Sequence, residues 1–337
     1  MISTKRTVPL VALALVVMAG PARAQEGCPV SAPGPCATMV AAAEASRAQI
    51  GILAAGGNPA PGTASTGGVR LGFLPRVSAG LRLNAVRTSL PEVFDERGVS
   101  ELVRYDGEES GTALAVGAHA SVGLYGGRSL APTVGGFGAL DLLADAALVP
   151  VSGGTEESAL ALGVGARVGL VRESFATPGA SVSLMYRRVG EVRRGNLGDV
   201  GPLPPSGGGS GESTGEVTHD VRAWSARAVV SKRLLALGLT AGAGYDRFTG
   251  DDEVVFRAPL PPSQGLGEGT YVIEDAARDD GRWSLFASAS YGLLLGSLTA
   301  EAGWMQGGEA PAGYPATNDF DPEAGTLFGS LAVRISL

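Results

Sequence analysis

Most of the chain alternates. From Val77 onward, apolar residues return at every second position in run after run, the spacing that turns one face of a β-strand toward an apolar surrounding. Val77, Ala79, Leu81, Leu83 and Ala85 open the series, and Leu114, Val116, Ala118, Ala120, Val122 and Leu124 continue it. Further runs begin at Leu140, Leu160, Val182, Trp224, Leu235, Trp283 and Leu298. The last, Leu331, Val333, Ile335 and Leu337, ends the sequence. The pattern predicts about ten strands, with eight or twelve also compatible. The second face of these strands is unusual. In Leu160–Val171 it consists of Ala161, Gly163, Gly165, Arg167, Gly169 and Val171. A sheet face turned to water would carry Lys, Glu and Thr instead of glycine and alanine.

The residues before this series read differently. Lys5 and Arg6, an apolar core and the small residues of Ala22-Arg23-Ala24 predict a cleaved signal peptide over 1–24. Residues 37–55 favour an Ala-rich helix, stopped by Gly56-Gly57, and a Gly/Pro/Ser/Thr linker follows up to Gly68. The expected organisation is therefore 1–24 signal, 25–67 helix and linker, and 68–337 strand domain.

Connections between the runs alternate in length. Pro91 to Glu109, the Gly/Pro-rich stretch after Arg194, the acidic stretch Thr249 to Gly281 and the one through Pro322 are long. Those near Gly126, Glu173, Arg233 and Gly296-Ser297 are short. Long and short connections thus fall at opposite ends of the strands. This asymmetry resembles the bacterial outer-membrane β-barrel proteins, over a span from about Gly68 to Leu337. The resemblance implies an all-β fold, a closed antiparallel transmembrane β-barrel preceded by the Ala-rich helix. It also implies a place in the cell outer membrane, with membrane lipid, lipopolysaccharide and the barrel-assembly machinery as partners. An even strand count puts both barrel ends on the periplasmic side. Tyr186, Trp224, Tyr245, Trp283, Tyr291 and Trp304 are candidates for the interfacial aromatic girdles of such barrels. The final "FGSLAVRISL" resembles their terminal targeting strand, ending in Leu337 where the family most often has Phe. A secreted sandwich explains the pattern less well, because its strands are shorter and its second face is wet.

Charge narrows the partners. Removal of Lys5, Arg6 and Arg23 with the signal takes the formal charge from -7 to -10, which speaks against nucleic acid. With only His119 and His219, and only Cys28 and Cys36, no metal site and no cofactor is expected. In an oxidising compartment Cys28 and Cys36 are expected to form a local disulfide, with two free thiols as the alternative.

If the apolar face meets lipid, the other lines a lumen. The candidate lumen residues are Arg76, Arg82, His119, Asp141, Asp145, Arg167, Arg187, Arg227, Asp246, Glu301 and Arg334. Acidic strand three adjoins basic strand four, and strand nine adjoins strand ten, so Asp141–Arg167 and Glu301–Arg334 are expected cross-strand ion pairs. Selectivity or solute binding is the functional reading of the same charges. The helix, about 28 Å long at the helical rise, is either a plug within the lumen or a periplasmic element at the barrel mouth. Rim hydrolysis would need His219 beside Asp246, with Asp251 and Asp252 nearby. No triad order or family spacing supports it, and a non-enzyme is expected. The acidic stretch from Thr249 is expected to be a solvated loop, or one bridged by divalent cations to lipopolysaccharide. The expected function is a narrow channel or small-solute transport or binding barrel. The alternative is a structural or surface-interaction barrel with a closed, salt-bridged lumen and functional external loops.

Overall fold

A computed structural model describes Cys28 and residues 32–70, 74–93, 96–97, 108–131, 134–150, 158–195, 212–213, 215–259, 263, 268–277, 279–294 and 296–336. The expected signal peptide and Leu337 lie outside the described residues.

Ten strands close into one antiparallel barrel. They are β1 Val77–Pro91, β2 Glu108–Tyr125, β3 Leu140–Pro150, β4 Ser158–Val171 and β5 Gly179–Val189. The second half comprises β6 Gly215–Leu234, β7 Leu237–Pro259, β8 Asp280–Gly292, β9 Gly296–Met305 and β10 Thr326–Ser336. Each pairs with its sequence neighbours, and β10 returns to β1 from Phe328↔Val86 to Ser336↔Ser78, which leaves no free edge among the ten. Two short strands, Val192–Gly195 and Glu268–Ile273, extend the wall along the upper parts of β6 and β7.

The polarity of the wall is inverted relative to a water-soluble protein. Leu81 is 65% exposed and Val164 62%, and Leu114, Val116, Leu162, Leu285, Leu331 and Val333 also face outward. Such a continuous apolar exterior is the pattern of a barrel wall that faces lipid. Tyr186 and Trp224 pack together outside the barrel with ring centroids 4.9 Å apart, and Tyr245 and Trp283 with centroids 5.1 Å apart. Trp304 lies level with them beside Leu285. Beyond this girdle, toward the long loops, the exterior turns ionic, with Arg188–Asp220, Arg222–Asp251 and Arg247–Asp279 pairs.

Two connections differ from the sequence reading. β7 runs on to Pro259, so Thr249 to Pro259 is strand and not acidic loop. The alternation there is masked by charge, because Asp251 and Glu253 face out while Asp252 faces in. The β2–β3 connection, expected as a short turn, is a small folded hairpin bridged at Arg128↔Phe137 and Ala131↔Val134.

The barrel interior is occupied. Helix α1, Pro33–Ala55, stands inside it, and every residue from Cys36 to Ala55 is buried. Its first turns pack at the long-loop end against Val93, Val217, Val254, Phe256 and Ile273. Ala41 and Ala45 meet Leu90 and Phe320, the latter from the loop between β9 and β10. Deeper, Ile50, Ile52 and Leu53 pack among Val86, Phe248, Phe286, Met305 and Phe328. The side chain missing at Gly51 is what admits the Phe248 ring. The Cys28–Cys36 disulfide is formed, and Cys28 packs with the residues at the long-loop end. After Gly56 the chain continues through the lumen to the short-turn end, where β1 begins.

Candidate functional site

The inward charges hold the plug segment by its backbone. A helix leaves its last carbonyls without intrahelical donors, and here the barrel wall supplies them. Asn84 on β1 donates from Nδ2 to the Leu53 carbonyl at 2.8 Å, and Arg82 from Nη1 to that of Ala55 at 3.3 Å. Arg227 on β6 donates from Nε to the Gly57 carbonyl at 3.0 Å. Two guanidiniums at the helix C-terminus also suit the negative end of its dipole. Just beyond, the peptide N–H groups of Gly57 and Asn58 donate to Glu301 on β9, each at 3.1 Å. Glu301 lies 3.6 Å from Arg82, and Arg227 is paired with Asp246 at 2.8 Å.

A second clamp grips the end of the linker. Arg167 and Asp141 face each other across β4 and β3 and pair at 2.6 Å, as their strand positions suggested. The same carboxylate accepts the Gly67 N–H at 2.9 Å and the Gly68 N–H at 3.4 Å, while Arg167 reaches the Thr63 carbonyl at 3.5 Å. Arg187 on β5 spans the intervening strand to pair with Asp145 on β3 at 2.6 Å. It passes over Gly163, where a side chain would collide with both partners. His119 points inward beside Gly80, and neither ring nitrogen has a hydrogen-bond partner among the described residues.

A third contact holds the helix near the long-loop end. Arg47 pairs with Asp252 on β7 and donates to the Gly250 and Ala277 carbonyls at 3.1 Å each. His219 on β6 meets the same carboxylate, Nδ1 to Oδ1, at 2.5 Å. All three side chains are buried.

Several expectations are corrected. Glu301 does not meet Arg334. It stands opposite Ser330, while Arg334 stands opposite Ser297, four residues farther along β10. The long β9–β10 connection does not fix register, and hydrogen-bond pairing sets it otherwise. His219 faces Asp252, not Asp246, because the two-residue turn at Leu235-Ala236 fixes the β6–β7 pairing and puts Ser225 opposite Asp246. Arg76 precedes β1 and is exposed at the short-turn mouth, where Arg334 is half-buried. Arg47 and Asn84 are not among the candidate residues, and Asp252, named only as a neighbour of the rim group, faces the lumen. Arg47 was detectable as one of only two charges in an otherwise small-residue helix, with Glu44.

No family model matches this chain, and no curated protein matches it. Among solved structures it is similar to Neisserial surface protein A, at 9% identity over 77% of this chain and 96% of that one, with a TM-score of 0.28. The outer-membrane protease OmpT of Escherichia coli is 9% identical over 78% and 96% of the two chains, with a TM-score of 0.28. The toluene transporter TodX of Pseudomonas putida is 11% identical over 83% and 97%, with a TM-score of 0.30. All three are bacterial outer-membrane β-barrels. The chain resembles them at low identity and low TM-score, and their activities say nothing about its own.

Proposed function

We propose that this chain is an outer-membrane β-barrel whose lumen is closed at rest by its own residues 33–68, and that it acts as a structural or surface-interaction barrel rather than an open pore. The observation that carries this reading is the burial of Cys36 to Ala55 against the wall, largely in apolar contact. Pulling Ile50, Ile52, Leu53, Met39 and Val40 into water would cost about 1.5–3 kcal/mol for each large side chain. The exterior apolar band, the aromatic girdle and the ionic collar above it support a membrane setting. Lipid, lipopolysaccharide and the assembly machinery follow as partners from that setting. His219, Asp252 and Arg47 are read as a lock and not as catalysts, since none of the three is reachable by a substrate in this arrangement. His219→Ala is expected to leave any hydrolytic activity of the preparation unchanged.

A second reading, passage of small solutes, is favoured by one feature. Residues 56–68 are held mainly by polar contacts that water can replace. Conductance in planar bilayers separates the two. The full mature chain is expected to show no single-channel steps, and a chain lacking residues 25–66 to show them. An Ala64→Cys, Ser231→Cys pair, placed where the Ala64 N–H meets Ser231 Oγ at 2.9 Å, would lock the linker. Steps from the full chain that this lock abolishes would establish gated passage. Steps that persist with the lock closed would overturn the plugged barrel.

A further inference from the structure

We propose that the short-turn mouth of the barrel holds a binding site for a phosphate-type oxyanion. A recess of about 200 Å³ opens there between the starts and ends of the strands, and four guanidiniums line it: Arg76, Arg167, Arg233 and Arg334. The rest of the lumen treats arginine differently. Arg82, Arg167, Arg187 and Arg227 each stand beside a carboxylate within 4 Å. In the recess Asp141 is already engaged by Arg167 and by the Gly67 and Gly68 N–H groups. The guanidiniums of Arg76, Arg233 and Arg334 form no ion pair among the described residues, although the Glu173 carboxylate accepts the Arg233 backbone N–H, and the Nε of Arg334 is buried without a hydrogen-bond acceptor. Around one cavity, three guanidiniums thus stand without an ion-pair partner among the described residues.

Like charges facing a shared recess repel one another, and a bound anion reverses the sign of that term. Guanidinium donors match a tetrahedral oxyanion in geometry, because each can present two parallel N–H groups. Hydroxyls complete the lining, with Ser78 and Ser121 hydrogen-bonded to each other at 2.8 Å on one wall and Ser336 at the rim. The cavity is large enough for a phosphate group and accompanying water, and too small for an extended solute. Beside it the outward-facing Val77 and Ile335 begin the apolar exterior. The group can therefore arrive as free phosphate from the aqueous side or as the headgroup of an anionic phospholipid. The site belongs to the barrel rim and the end of the linker.

The test uses the full mature chain. Inorganic phosphate is titrated calorimetrically into protein held in a zwitterionic detergent. In parallel, protein in phosphatidylcholine nanodiscs doped with phosphatidylglycerol is analysed by native mass spectrometry for retained anionic lipid. Arg76→Gln with Arg334→Gln, and separately Arg233→Gln, are compared with the unaltered chain. Saturable phosphate binding that weakens about tenfold or more in the variants supports a free-anion site. Retention of phosphatidylglycerol that the variants lose, without phosphate binding, supports a headgroup site. Absence of both, or binding that the variants leave unchanged, overturns the proposal. Arg233 is exposed at a turn, so Arg233→Gln carries the test if the double variant does not fold.

Discussion

Gly163 shows how a residue that weakens an ordinary strand strengthens this one. Its missing side chain is the space through which Arg187 reaches Asp145 two strands away. A valine there would force the pair apart, so Gly163→Val is expected to lower stability by about 1–3 kcal/mol, read from denaturant unfolding of the detergent-solubilised barrel. No loss would mean that the Arg187–Asp145 pair is not formed in solution. Glu301 carries a larger share. It satisfies two peptide N–H groups of the plug and stands next to Arg82 inside the wall. Glu301→Ala leaves all three without their anion and is expected to cost about 3 kcal/mol, with Glu301→Gln costing less. The alternation made the inward direction of these residues readable from sequence. Their partners were readable only where strand neighbours face one another, as Asp141 and Arg167 do. Arg187 with Asp145, and Glu301 with the linker, needed a third element in space.

At the scale of elements, the loop between β9 and β10 is the lid over the helix. Phe320 packs on Ala41 and Ala45, and Tyr314 donates its hydroxyl to the Phe320 carbonyl at 2.7 Å. Burial, reinforced by Asp321 and Glu108, pushes the ionisation of the Tyr314 hydroxyl well above its ordinary 10.0. The unfolded loop loses that proton near its ordinary value while the folded loop keeps it. The stabilisation is therefore complete below about pH 10 and declines as the pH rises beyond that point. Limited proteolysis of the loop is expected to accelerate in that alkaline range, and Tyr314→Phe to abolish the pH dependence. An equally steep alkaline response in the variant would assign the effect to another group. The helix beneath was recognisable as a helix from its alanines and its Gly56-Gly57 stop. Its position was not, because a helix buried on all sides carries no apolar stripe to show which face is covered.

For the whole molecule, the direction of the plug makes a topological prediction. α1 begins at the long-loop end, and the chain then descends through the lumen to enter β1 at the short-turn end. With the long loops outside the cell, the Cys28–Cys36 disulfide faces the exterior. After mild reduction, a membrane-impermeant maleimide is expected to label Cys28 on intact cells. Labelling that appears only after the outer membrane is broken would reverse the orientation. The sequence by itself determined the strand periodicity, a count near ten, the outward apolar face and the contrast between short and long connections. Each of these is a one-dimensional regularity, because side-chain direction alternates residue by residue along a strand. Only the tertiary structure decided that the space behind "LALGVGARVGLV" is filled, and by what. Filling a lumen depends on volumes and hydrogen-bond partners contributed by strands far apart in the chain. The glycines of that strand are the room the arginines and the plug occupy.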